Sequence, residues 1–353
     1  MDVLDTLLLV AAFALILLGA ELFTNGIEWV GRKLDLAEGA VGSVLAAVGT
    51  ALPETMIPLV AIVLGARDGH ASTTEGIGVG AILGAPFMLA TLAMFVTGTA
   101  VLLRTRRSPG RSSMLVDTEV LWKDVRYFAV TYGLAIGAAF LPAGLAWLKV
   151  VMAAVLLALY VMYVRAHLAA EASAEAEDPA PLRFHRLDRQ RDQRGPRLRL
   201  INLQVLVALG AIVGGAVVFV DAVEHLAVGF GVDPTIMALV VAPIATELPE
   251  KFNRVIWIRQ WKDTLALGNI TGAMVFQSCI PTVVALILAA DAWTVRADSA
   301  LSFLSAGIAF ASMAAIFGPM AVRGRLTGRG LMVGGGFYLG YLAAVGLSVA
   351  GVV

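Results

Sequence analysis

Apolar residues run along this chain in blocks of about twenty or more, separated by short clusters of arginine, lysine, glycine and proline. A block of that length, wound at helical rise, matches the hydrocarbon thickness of a bilayer, so each predicts a membrane-spanning helix. About ten spans follow, at roughly residues 5 to 30, 39 to 65, 76 to 102, 126 to 142, 146 to 165, 202 to 229, 234 to 257, 264 to 290, 299 to 321 and 330 to 352. The longest polar segment, Arg165 to Arg199, is rich in arginine and broken by Asp178-Pro179-Ala180-Pro181, which reads as a linker between two halves. The predicted organisation is a first five-helix repeat over 1–165, a cytoplasmic basic linker over 166–200 and a second five-helix repeat over 201–353.

Basic residues set the orientation, because cytoplasmic loops carry an excess of Lys and Arg. One side collects Arg32, Lys33, Arg104, Arg106, Arg107, Arg111, Lys123, Arg126, the arginine linker, Arg259, Lys262, Arg323, Arg325 and Arg329. The other side collects Arg67, Lys149 and Arg296. That asymmetry predicts a multi-pass protein of the plasma (cell inner) membrane with both termini outside. The opening Met1-Asp2-Val3-Leu4-Asp5 has no basic stretch, so the first span is read as a retained helix and not as a cleaved signal peptide.

Composition agrees: 59% of residues are hydrophobic and 15% charged, too apolar for a water-facing surface, so the lipid bilayer is the expected partner. The 26 basic and 26 acidic residues balance, which gives no signal for nucleic acid. Cys279 has no second cysteine to bridge and is expected as a small core residue.

The halves resemble each other. An offset of 196 aligns Gly19-Ala20 with Gly215-Ala216, Phe23 with Phe219, Glu28 with Glu224, Thr50 with Thr246, Pro53 with Pro249 and Glu54 with Glu250. Further on, Gly80-Ala81-Ile82-Leu83-Gly84-Ala85 matches Gly268-Asn269-Ile270-Thr271-Gly272-Ala273. Five spans per half means that the second half enters the membrane from the opposite side, the inverted-repeat plan for alternating access around a midplane site.

Glu54 and Glu250 both fall near mid-bilayer, where a lone carboxylate costs about 2.5 to 3.5 kcal/mol and therefore needs a proton, a partner or a cation. The preceding prolines remove the helical donors of the Gly49 and Ala245 carbonyls. Thr50 and Thr246 stand four residues before each glutamate, on the same helix face. Hydroxyl, carboxylate and freed carbonyl oxygens together suit hard cations such as Na⁺ and Ca²⁺. The paired Gly-xxx-Gly spacings allow close backbone approach, and Asn269 adds a polar oxygen. Glu21, Asp221, Glu224 and His225 either line an access path or sit near the membrane surface.

At these residues the chain resembles the cation/calcium antiporter superfamily, the sodium/calcium exchanger-like proteins, whose two signature stretches read Gly-Thr-Ser-Leu-Pro-Glu and Gly-Asn-x-x-Gly-Ser. The resemblance implies an all-α polytopic membrane protein of about ten helices in two inverted five-helix repeats. It further implies that Glu54 and Glu250 are the metal ligands, with Thr50, Thr246 and Asn269 adding oxygens. The chain departs from that pattern at Ala51 and Ala81, which remove polar groups from the first repeat, and at Glu247 and Lys251, which add charge to the second. Glu247 with Lys251 and Glu250 with Arg254 are acid-first i, i+4 pairs, so Lys251 and Arg254 are candidate internal counter-ions at a cation-binding set of Thr50, Glu54, Thr246, Glu247, Glu250 and Asn269. The implied function is secondary antiport of Ca²⁺ against Na⁺ or H⁺, with no cofactor beyond the transported inorganic cations. The alternative is a non-transporting scaffold or ion sensor with an internally salt-bridged site. An enzyme is not expected: His70, His167, His185 and His225 are scattered, and no nucleophile elbow or phosphate loop is found.

Overall fold

The computed structural model describes residues 3–33, 55–63, 71–107, 114, 116–171, 180–187, 195–241, 255, 257–259, 261–296 and 299–349. Regular structure among these residues is entirely helical. In chain order the helices are α1 (Val3–Lys33), α2 (55–63), α3 (Ala71–Met88), α4 (Met94–Arg107), α5 (Thr118–Ala138), α6 (Ala146–Glu171), α7 (Leu198–Phe230), α8 (234–241), α9 (Asp263–Leu288), α10 (Ala300–Arg323) and α11 (Gly328–Val349). A π turn at Leu89–Ala93 joins α3 to α4.

Seven helices among the described residues are long and apolar enough to cross a membrane: Thr6–Val30, Thr74–Arg106, Ala146–His167, Leu198–Phe230, Ala266–Leu288, Ala300–Arg323 and Gly328–Ser348. The expected spans at 39 to 65 and 234 to 257 are described only over α2, α8 and residues 255 and 257. The span expected at 126 to 142 begins earlier, at Thr118, and ends at Ala138. Its first turns carry Glu119, Lys123, Asp124 and Arg126, which leaves too short an uncharged stretch to qualify as a span by composition. Asp117 starts this helix by accepting from the Glu119 and Val120 N–H groups at 3.0 and 3.3 Å, the usual side-chain cap.

The stretch Thr74–Arg106 is the most enclosed of the seven, with most of its residues buried, whereas most of Thr6–Val30 is not. It is also where the helix departs from α geometry. Within this π turn the Ala90 carbonyl accepts from the Ser312 hydroxyl of α10 at 2.6 Å. Around it Phe87 stacks with Tyr338 and packs at a tilt against Tyr341 of α11, at 5.7 and 4.7 Å between ring centroids. Exposed Leu7, Leu18, Leu206 and Leu339 form an outer surface suited to lipid.

The most extensive helix pair is α1 with α7, and its contacts are reciprocal. A Cβ on Gly19 would lie 2.8 Å from Ile212 Cγ1 and 3.0 Å from the Ala208 carbonyl. A Cβ on Gly215 would lie 2.7 Å from Ile16 Cγ1 and 3.0 Å from the Ala12 carbonyl. Ala12, Ile16 and Gly19 are the residues 196 positions before Ala208, Ile212 and Gly215. The two helices run antiparallel, and each uses the same residues to meet the other. Gly231, in the left-handed conformation at φ 65°, then closes α7.

Part of the basic linker is also fixed in place. The Arg183–Leu187 turn lies over the last third of α1 and the first turns of α7. Asn25 and Trp29 donate to the Ala180 carbonyl at 3.1 and 2.9 Å, the Phe184 N–H donates to Gln204 Oε1 at 2.9 Å, and Leu182 is buried beneath.

Candidate cation site

Of the predicted site residues, Asn269 is described; Thr50, Glu54, Thr246, Glu247 and Glu250, with the counter-ions Lys251 and Arg254, lie outside the described residues. The described helices nearest to them in the chain are α2, whose described residues start at Thr55, and α8, whose described residues end at Val241. α8 is started by Asp233-Pro234: Asp233 Oδ1 accepts from the Thr235 N–H at 2.8 Å, and proline at the first helical position loses no bond.

Both helices rest on α3 through glycines. A Cβ on Gly76 would stand 2.6 Å from Thr235 Oγ1, and one on Gly80 would overlap the Thr235 carbonyl oxygen. A Cβ on Gly78 would meet Ile62 Cγ1 at 2.9 Å and the Pro58 carbonyl at 3.1 Å. Residues 76 and 80 share one helix face and 78 points elsewhere, so α3 seats α8 on one side and α2 on another. The helix expected to carry Gly80-xxx-Gly84 therefore contacts the two segments that flank the carboxylate motifs.

In the second half, Gly268, Asn269 and Gly272 lie on α9, with Asn269 half-buried. Gly272 admits a side chain and not a helix backbone: its Cβ would stand 3.2 Å from the Tyr163 hydroxyl. Cys279, further along α9, is buried. Glu21 is exposed and paired with the linker's Arg183 at 2.8 Å; Asp221 and His225 are exposed and Glu224 is half-buried.

Two buried cations were not anticipated. Arg104, read from the sequence as a loop charge, is 7% exposed and grips Asp263 at the start of α9 through both nitrogens, at 2.5 and 3.0 Å. It also donates to the Ile258 carbonyl at 2.6 Å, and its guanidinium lies 3.8 Å over the Trp261 ring. Trp261 holds φ at 63°, a conformation that costs a bulky residue energy and is held here by that stack. At the other end of α9, Lys149 donates to the Ala290 and Trp293 carbonyls at 2.5 and 2.9 Å, complementing the negative end of the helix dipole. A buried pair is expensive to break from one side. Arg104→Met should cost about 3 to 5 kcal/mol, and pairing it with Asp263→Leu should recover part of the loss, both read from thermal unfolding in detergent.

The model of the family described as sodium/calcium exchanger protein matches residues 4–168 and again residues 201–349. This chain belongs to that family. The family is one of cation antiporters, a transport class and not an enzyme class. An uncharacterized membrane protein of Methanocaldococcus jannaschii is 22% identical to this exchanger-family chain over 256 residues, covering 72% of each. Among solved structures, an H⁺/Ca²⁺ exchanger, CAX, matches with a TM-score of 0.70 at 14% identity, over 99% of this chain and 85% of that one. The sodium-calcium exchanger NCX_Mj matches with a TM-score of 0.57 at 18% identity, over 97% and 99%. At such identities the structural matches speak for the exchanger fold alone.

Proposed function

We propose that this protein is a secondary cation antiporter of ten spans in two inverted five-helix repeats, exchanging Ca²⁺ for Na⁺ or H⁺ by alternating access in the plasma membrane. The observation that carries this reading is the arrangement around α3: Gly78 and Gly80 bring the segment after Glu54 and the segment before Thr246 against one helix. In this reading two carboxylates from opposite halves share one site at mid-depth, where a dication offsets both charges. The reciprocal α1–α7 contact supports the inverted relation, since a two-fold axis in the membrane plane maps Gly19 on Ile212 to Gly215 on Ile16. The paired match of the family model to each half supports the same division. The linker turn docked on the end of α1 that carries Arg32 and Lys33 supports a cytoplasmic linker and termini outside.

In this reading Glu54 and Glu250 are the metal ligands, and Thr50, Thr246, Glu247 and Asn269 supply further oxygens. Lys251 and Arg254 are counter-ions that hold the second repeat's extra acid when the cation leaves. Ca²⁺ at a hundred times its dissociation constant should stabilise the purified protein by about 2.7 kcal/mol, a shift of several degrees in Tm. The double variant Glu54→Gln, Glu250→Gln should show no shift. A wild-type Tm indifferent to Ca²⁺ and Na⁺ alike would favour the salt-bridged scaffold instead.

A further inference from the structure

The helices α5, α6 and α9 meet around one buried carboxylate. Asp124, 1% exposed, accepts from the Tyr163 hydroxyl at 3.0 Å and faces His167 Nε2 at 3.0 Å, both on Oδ1. Its Oδ2 accepts from the Thr271 hydroxyl at 2.6 Å. Tyr163 and His167 are four residues apart on α6, so their tips reach one point, with ring centroids 4.3 Å apart. Gly272 leaves the room on α9 that the Tyr163 hydroxyl occupies.

The second ring nitrogen of His167 decides how many protons this arrangement needs. Nδ1 lies 3.1 Å from the Tyr163 carbonyl oxygen, which can only accept, so Nδ1 carries a proton. A neutral imidazole would then turn the bare lone pair of Nε2 onto the ionised carboxylate. One further proton, on Nε2 or on the carboxylate, makes that contact a hydrogen bond.

The other charged and titratable groups at the cluster do not replace that proton. On α5, Lys123 directs its ammonium to the Ala166 carbonyl at 2.9 Å, and Tyr127 packs edge-on against Tyr163 at 5.2 Å. On α6, Tyr160 stacks on Tyr163 and Arg165 is exposed. α9 contributes the Thr271 hydroxyl, and Asp263, two turns earlier, is held by Arg104. Thr271 is two residues beyond Asn269, about 200° around the helix, so the cluster and Asn269 occupy different faces of α9.

We propose that Asp124 and His167 form a proton-binding site, separate from the cation site, that fastens α5 and α6 to the helix carrying Asn269 when it is occupied and loosens them when the proton leaves. Its effect on transport rests on the antiporter reading; its proton binding does not. Without that proton Nε2 and Oδ1 are two acceptors facing each other at 3.0 Å, so the contact that joins the helices needs the proton and high pH removes it.

The test is Tm of the full-length protein in detergent across about pH 5.5 to 8.5, for wild type, His167→Gln and Asp124→Asn. The wild-type Tm should fall by about 3 °C or more over that range relative to His167→Gln, whose amide donates at every pH. Asp124→Asn should lose the same pH-dependent component. Three parallel profiles would overturn the proposal. Cation flux in proteoliposomes, with pH set equal on both sides, should follow the same difference: a steeper pH dependence in wild type than in His167→Gln. Absence of flux at every pH would count against the antiporter reading, while the Tm profiles still decide the proton site.

Discussion

Gly80→Val should leave little folded protein, and Gly80→Ala should lower Tm more than an added methyl at an open glycine. Overpacking a helix contact typically costs about 1 to 3 kcal/mol, because side chains can move aside. At Gly80 the obstacle is the Thr235 carbonyl, a backbone atom that moves only if α8 moves with it. The expected cost of alanine therefore sits at or above the top of that range, and valine adds two further methyl groups. Gly210 supplies the contrast. It is exposed on α7 with open space around its Cβ position, so Gly210→Ala should be neutral or gain up to about 1 kcal/mol from helix propensity. Thermal unfolding of both variants in the same detergent makes the comparison, and equal behaviour would contradict the packing described for α3.

Much of this architecture is legible in the sequence because it depends on periodic or repeated features. Helices of bilayer length follow from apolar runs, and the offset of 196 already aligns Gly19 with Gly215, the residues through which α1 and α7 turn out to meet. The family resemblance rested on the motif residues themselves, and the two-block family match agrees with it. What escaped is set by tertiary placement. His167 looks isolated along the chain, yet 43 residues separate it from Asp124, which it touches across two helices. Arg104 counts as an ordinary loop cation until Asp263, 159 residues away, is brought against it. The π turn at Leu89–Ala93 has no local signature, and Ser312, which donates to its Ala90 carbonyl, comes from α10. The limits of α5 also shifted, because Asp117 caps the helix ahead of its apolar stretch.

Neutralising either carboxylate of the central pair should have the largest effect on function. A unit charge about 4 Å from another contributes about 4 kcal/mol at an effective dielectric constant of 20, so a dication gains about twice that from each glutamate before desolvation is subtracted. Losing even half of that weakens binding by about a thousandfold, since every 1.4 kcal/mol is roughly a factor of ten. Glu54→Gln and Glu250→Gln should each reduce exchange to background, whereas Glu21→Gln, on the exposed linker contact, should leave it near the wild-type rate. The most direct measurement is isotope flux of Ca²⁺ into proteoliposomes under an imposed Na⁺ or H⁺ gradient. The account predicts gradient-driven uptake in wild type and none in either central glutamine variant; uptake that survives both substitutions would contradict it.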